Sequence, residues 1–176
     1  NNKISKYFIK KYYEPDLQLK FMNSLLKLAN TSIDISDGLI DDLKKMINRQ
    51  SVSFHIFEKN IPISNTLSQL IEIKKLRKID ITSRGDDYQI LFTANPIKSR
   101  IIKRISNNTG IKITKIGKII SGRNKSKIIN IKNKQIEAKN KGYIHQFWKL
   151  IVVFFILFCI VRLKNLTTNN LGFIWT

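Results

Sequence analysis

Nine consecutive residues carry most of the chemistry that this sequence offers. The stretch Asp34-Ile-Ser-Asp-Gly-Leu-Ile-Asp-Asp42, here called the first acidic segment, contains four carboxylates, a serine hydroxyl and a glycine. Carboxylates are scarce elsewhere, because twelve Asp and Glu stand against thirty-two Lys and Arg and leave a formal charge of +20. Oxygen ligands suit Mg²⁺, which usually takes only one or two carboxylates and keeps several waters. The segment therefore indicates a place where a metal-bound polyphosphate is held.

The residues around this segment predict a strand, a sharp turn and a helix. Ile33 and Ile35 alternate with polar neighbours as in a short strand, Gly38 interrupts the pattern, and apolar residues then return at helical spacing. The N-terminus of a helix presents amides without intrahelical partners, which favour an anion. The pattern thus predicts free amides, a hydroxyl and two carboxylates at one corner.

Each residue of this corner has a functional and a structural interpretation. Asp34 and Ser36 would lie on one side of the strand, and Asp34 with Asp37 would suffice as the protein's ligands to Mg²⁺. Alternatively, Asp37 caps the following helix, and Asp41 and Asp42 interact with the helix dipole in its first turn. From spacing alone the structural roles are the more frequent ones.

A second acidic segment, Arg84-Gly85-Asp86-Asp87-Tyr88, precedes a stretch rich in strand formers. Two adjacent carboxylates at the entrance of a strand are expected to face the same cleft as the first acidic segment. The alternative is a solvated turn. No Ser-His-Asp arrangement, Walker glycine loop or protein-kinase signature occurs, and His55 and His145 are isolated.

The remaining pattern alternates strands and helices, which predicts an α+β domain with a mixed β-sheet and packed helices, ending near Phe147. The predicted helices are 16–29, 65–76 and 95–107, and the predicted strands are 52–57, 88–93, 111–120, 127–131 and 135–138.

Residues 148–176 differ in kind from the domain at 1–147. The apolar run Leu150–Val161, between Lys149 and Arg162, is shorter than the ~20 residues that a membrane-crossing helix needs. It predicts a C-terminal hydrophobic helix, with residues 148–163 as a candidate membrane segment. A buried or partner-facing helix, or a tail unrelated to the domain, are the alternatives.

Composition sets further bounds. A single cysteine, Cys159, excludes an intrachain disulfide and argues against a cysteine metal site, and no leader pattern follows Asn1, so we expect a cytoplasmic protein. Lysines are scattered beside Ile and Asn, as biased codon usage would produce, so binding of nucleic acid is the less favoured interpretation. A basic nucleic-acid-binding module and a membrane-tethered scaffold are the alternative functions.

Five motifs occur in an order that resembles the C-terminal half of thiamine-monophosphate kinases. They are the first acidic segment with Leu43, Ile61-Pro-Ile-Ser64, Gly85-Asp-Asp-Tyr-Gln-Ile-Leu-Phe-Thr93, Ile113-Thr-Lys-Ile-Gly-Lys-Ile119 and Gly142-Tyr-Ile-His145. The first and third together are specific, and the resemblance covers about residues 1–147.

The resemblance implies the C-terminal domain fold of the aminoimidazole ribonucleotide synthetase superfamily. It also implies ATP-dependent phosphorylation of thiamine monophosphate to thiamine diphosphate, with Mg²⁺, in a homodimer. The family's N-terminal domain, which holds most of the nucleotide site and the dimer interface, has no match in these residues. They are therefore expected to be inactive alone.

The resemblance also implies roles for individual residues. Asp34 and Asp37 would each ligand Mg²⁺, and Ser36 would contact ATP. Asp86, where the family usually has Glu, would contact the phosphate of thiamine monophosphate. Tyr143, which follows the glycine of the last motif, would pack on the rings of the substrate.

Overall fold

The structure, a computed structural model, describes residues 2–48, 50–139 and 172–176. The helices are α1 (Asn2–Tyr13), α2 (Leu19–Leu28), α3 (Leu39–Met46), α4 (Asn65–Lys74), α5 (Lys78–Thr82) and α6 (Ser99–Thr109). The strands are β1 (Thr31–Asp34), β2 (Val52–Phe57), β3 (Ile90–Ala94), β4 (Lys115–Ser121), β5 (Lys127–Ile129), β6 (Gln135–Ile136) and β7 (Phe173–Trp175). Short 3₁₀ helices lie at Glu58–Asn60 and Pro96–Lys98.

The seven strands of the described residues belong to one mixed sheet in the order β1-β3-β7-β4-β2-β5-β6. Neighbouring strands are antiparallel except β2 and β5, which are parallel. A mixed sheet with packed helices confirms the α+β prediction. The predicted strand at 52–57 matches β2, whereas the strand predicted at 111–120 begins later, at Lys115.

Helices pack against both faces of the sheet, since alternate residues of β3 and of β7 belong to different apolar clusters. Leu91 of β3 and Ile174 of β7 pack with the buried residues of α3 and α5. Phe92 of β3 and Trp175 of β7 pack instead with the buried residues of α2 and α6. The first acidic segment follows edge strand β1 and the second precedes β3, and β3 packs against helices on both of its faces.

The last residues of the chain form a central strand of this sheet. β7 lies between β3 and β4, with Phe92 opposite Trp175 and Gly117 opposite Ile174. Ile174 is fully buried. The tail predicted at 148–176 included these residues, but 172–176 belong to the sheet because their aromatic and branched side chains complete both apolar clusters.

The domain boundary predicted at residue 147 and the hydrophobic helix predicted over 150–161 lie outside the described residues. In the three ranges that the structure describes, no helix has the length and apolarity needed to cross a membrane.

Candidate functional site

The turn of the first acidic segment is organised by Asp42. This carboxylate is fully buried, and its Oδ2 accepts the backbone N–H groups of Ser36, Asp37 and Gly38 at 2.9, 2.9 and 3.1 Å. α3 places Asp42 one turn beyond Gly38, so the carboxylate points back at the amides that precede its helix. These three donors, which precede α3, are therefore already satisfied within the chain, whereas free amides in the first turn of α3 itself stay a prediction.

Lys45, on the next turn of α3, neutralises this corner. Its Nζ donates to Asp42 Oδ1 at 2.8 Å and forms a second ion pair with Asp37. The hydrogen bond to Asp37, followed by that to Asp42, raises the pKa of Lys45. A divalent cation at Asp37 would have to displace this lysine. Neither Lys45 nor the role of Asp42 was singled out from sequence, although their i, i+3 spacing on one helix face could have indicated the pair.

The second acidic segment packs backbone to backbone against the first. The N–H of Asp86 donates to the carbonyl of Ser36 at 2.9 Å, and the N–H of Tyr88 donates to that of Ile35 at 2.9 Å. A Cβ at Gly85, whose φ is +95°, would overlap the carbonyl oxygen of Ser36, and one at Gly38 would lie 2.6 Å from the carbonyl of Ser83. Glycine at both positions permits this approach.

The side chains of the two segments share one electrostatic environment. The charge of Asp86 raises the pKa of the Tyr88 phenol, and Asp34 contributes to the same shift. The Tyr88 hydroxyl donates to Asp86 Oδ1 at 3.4 Å. Asp34 and Asp86 are both exposed, one at the end of β1 and the other in the facing turn. Two carboxylates thus present oxygens to solvent beside one tyrosine.

Asp87 was expected to face the cleft but was given no role of its own, and its setting is unusual. Its residue is exposed, yet the protein around the carboxyl group partly desolvates it, and this desolvation, with the charge of Asp86, raises its pKa from 3.8 to about 6. The described residues contain no ion pair to Asp86 or Asp87. A carboxyl with such a pKa exchanges its proton near neutral pH, which is typical of functional sites.

Beside Asp87 is a cleft of about 980 Å³ between α1 and the sheet. Asp86 and Asp87 line it, together with Ile35 and Leu39 of the first acidic segment and the loop 61–64. Aromatic residues of α1 also line it: Tyr7, Phe8, Tyr12 and Tyr13. Apolar walls with a few convergent carboxylates are typical of a small-molecule site.

The predicted site residues are only partly brought together. Asp34, Ser36 and Asp37 follow one another around the turn, and Asp86 hydrogen-bonds through its backbone to Ser36. Tyr143 lies outside the described residues. Within these residues, no group of three or more His, Cys, Asp or Glu side chains is arranged to hold a metal ion. The exposed oxygens of Asp34 and Asp86 suit a hard cation that takes its other ligands from phosphate and water.

Comparison with known proteins relates this geometry to an enzyme family, although no family model matches the chain. Over 148 residues the chain is 34% identical to the thiamine-monophosphate kinase of Buchnera aphidicola subsp. Schizaphis graminum, covering 82% of this chain and 44% of the relative. It is 30% identical over 132 residues to that of Aquifex aeolicus, covering 74% and 39%. The chain thus spans about two fifths of the length of these curated relatives.

Solved structures agree with the sequence relatives. The crystal structure of thiamine monophosphate kinase from Aquifex aeolicus superposes with a TM-score of 0.58 at 26% identity, covering 77% of this chain and 42% of that one. AaThiL in complex with AMPPCP and TMP superposes with a TM-score of 0.61 at 27% identity, covering 81% and 42%. Sequence and fold together identify this chain as a thiamine-monophosphate kinase-like segment, equivalent to about two fifths of such an enzyme.

Proposed function

We propose that this chain forms one part of an ATP-dependent kinase that converts thiamine monophosphate to thiamine diphosphate. The names of its relatives support this proposal, as does the AaThiL complex with AMPPCP and TMP. The observation that carries it is the direct contact between the two acidic segments at the edge of a cleft. The backbones of two distant stretches of sequence meet there, and the charges of Asp34 and Asp86 both act on Tyr88, so a phosphate-bound cation could be shared between the segments.

In such a reaction, a phosphate oxygen of thiamine monophosphate attacks the γ-phosphorus of ATP. The bond from that phosphorus to the β-phosphate oxygen breaks, and ADP leaves. Phosphoryl transfer of this kind needs positioning and charge stabilisation and no protein nucleophile. Mg²⁺, when bound, would neutralise charge on the phosphates. The absence of a nucleophile–base pair among the predicted site residues is consistent with that chemistry.

In this proposal Asp34 and Asp37 hold magnesium ions and Ser36 contacts ATP. Asp86 contacts the phosphate of thiamine monophosphate, and Tyr143 packs on its rings. Asp34 is exposed at the end of its strand and accessible to a cation, whereas Asp37 is paired with Lys45. Asp37 would therefore join a metal site only after Lys45 turns to another partner, such as a nucleotide phosphate.

The wider setting is also a proposal. The enzyme would be a homodimer in the cytoplasm. Its subunits would associate through the part of the relatives that this chain does not match. Residues 148–163 would give it a membrane contact.

A chimeric enzyme tests the function. The matching segment of the Buchnera aphidicola relative is replaced by this chain, and thiamine diphosphate formation from ATP and thiamine monophosphate is followed with and without Mg²⁺. We expect turnover that Asp34→Asn lowers by about 100-fold or more, because a ligand to the phosphate-bound cation is lost. Glu72→Gln, at an exposed carboxylate of α4, is the matched control and should leave turnover unchanged.

Two results would contradict the proposal. A folded chimera without Mg²⁺-dependent turnover would disprove the function. Turnover by Asp34→Asn near the unsubstituted rate would disprove the metal assignment alone.

A further inference from the structure

One face of the sheet is covered by helices over only part of its width. The apolar cluster beneath α2 and α6 includes strand residues from β3 and β7, and none from β2, β4 or β5. Those three strands turn Phe54, Ile56 and Ile128 to the opposite cluster, beneath α3 and α5. Except for Ser53, which the loop at 122–126 covers, their alternate residues therefore lie on a part of the sheet that the described helices leave open.

A row of residues in register crosses this open part. Phe173 of β7 is opposite Lys118 of β4, Lys118 is opposite His55 of β2, and His55 is opposite Lys127 of β5. Directly paired residues of neighbouring strands point to the same face. With strands about 4.8 Å apart, the row extends over about 14 Å. Both lysines are exposed and His55 is half-buried, so the row presents cations beside flat rings.

This face carries mainly positive charge. Within the described strands the one carboxylate is Asp34, on edge strand β1, while Glu58 and Glu137 lie just beyond the ends of β2 and β6. None of the ion pairs found among the described residues includes Lys118 or Lys127. The open face therefore carries positive charge that the described part of the chain does not neutralise.

Two further features mark the same surface. Burial, and then the charges of Lys118 and Lys127, lower the pKa of His55, so this ring is kept neutral between two cations. The Nζ of Lys115 lies 3.7 Å from the ring centroid of Phe173. Cations and rings are thus interleaved along the row.

Apolar side chains continue the surface beside the row. Phe57 is two residues beyond His55 and so shares its face, and it is opposite Ile129 of β5. Both are half-buried. A flat ring next to a cation row is the kind of surface on which an unpaired base can stack while lysines contact the backbone phosphates.

From this arrangement we propose that the open face formed by β4, β2 and β5 binds single-stranded nucleic acid. The cations match its phosphates and the rings match its bases. The stretch 140–171 of the same chain is a poorer match, because it contains no Asp or Glu and adds further basic residues: Lys141, Lys149, Arg162 and Lys164. The surface is separate from the cleft between α1 and the sheet, so this binding is independent of the proposed kinase function.

Fluorescence anisotropy of the full 176-residue chain tests the proposal, with a labelled oligouridine of about 12 nucleotides as the probe. We expect binding at about 50 mM salt that Lys118→Ala with Lys127→Ala weakens by about 10-fold or more. The slope of log K against log salt should become shallower by about 1.4, since each lost phosphate contact contributes about 0.7 for a single strand.

The matched control removes the same charge elsewhere. Lys3→Ala with Lys74→Ala takes two exposed lysines from α1 and α4, and it should change the affinity less than about twofold. Circular dichroism checks that both double variants are folded. Equal weakening by the two double variants, absence of binding at low salt, or equally effective displacement by polyglutamate would each overturn the proposal, because each shows that this face does not recognise a nucleic-acid strand.

Discussion

The two acidic segments contact each other but handle their negative charge in different ways. In the first, Asp42 is buried under three amide donors and Lys45 pairs with both Asp42 and Asp37. In the second, the described residues place no cation within ion-pair distance of Asp86 or Asp87, and the pKa of Asp87 rises to about 6. The first segment is therefore stabilised by its own charges, whereas the second retains negative charge for a cation that comes from outside.

Removing Asp42 should have the largest effect. Asp42→Ala leaves three N–H donors and the ammonium group of Lys45 without their buried acceptor, so we expect the free energy of unfolding to fall by about 3 kcal/mol in urea denaturation. Asp41→Ala, beside it in the same helix turn but half-exposed, is the control and should cost less than about 1 kcal/mol. Similar losses for both variants would show that Asp42 does not organise the turn.

A methyl group at Gly85 should separate the two segments. Gly85→Ala combines a φ of +95° with a Cβ that overlaps the backbone of Ser36, and we expect a loss of stability of about 2–3 kcal/mol, measured by thermal denaturation. Gly110→Ala is the control, because φ there is +69° but nothing lies within 4 Å of the added Cβ. Its cost should be about 1 kcal/mol. Equal costs would mean that the contact between the segments is loose.

Asp87→Asn should have the smallest effect, and one that depends on pH. Because folding raises this pKa, the folded protein binds the proton more tightly than the unfolded chain, and stability falls as pH rises from about 4 to about 6. The substitution removes that fall, so the variant should exceed the unsubstituted protein by about 1 kcal/mol at neutral pH, after allowance for solvent screening. Unfolding at several pH values measures it.

Glu72→Gln is the control for this experiment, since it removes an exposed carboxylate of α4. It should leave the pH dependence unchanged. If Asp87→Asn and Glu72→Gln have the same pH dependence as the unsubstituted protein, Asp87 does not have the raised pKa that distinguishes the second segment.

Local signals in the sequence mark several elements and their ends. Ser64 caps α4 by accepting the N–H of Leu67 at 3.1 Å, and Gly110 ends α6 with a φ of +69°. The strand, turn and helix around Gly38 were also predicted, and α3 begins at Leu39. Caps, turns and periodicity depend on residues within a few positions of one another, so the sequence displays them directly.

Other elements gave no such signal. α1 and α5 were not predicted, and β7 was included in the tail. β7 is three residues long, too short for alternation to be distinctive, and its stability comes from pairing with β3 and β4. The same holds for the site, because the raised pKa of Asp87 depends on how much of the folded protein surrounds its carboxyl group.

By itself, the sequence determined which residue types could bind a cation and which local elements carry them. The tertiary structure decided which of their polar groups remain available. Asp42 accepts the amides that precede α3, and Lys45 pairs with Asp37. Backbone contact through Gly85 brings Asp86 next to Ser36. Hydrogen bonds and ion pairs within a folded chain satisfy some groups and leave others exposed, and that selection depends on distances that only packing establishes.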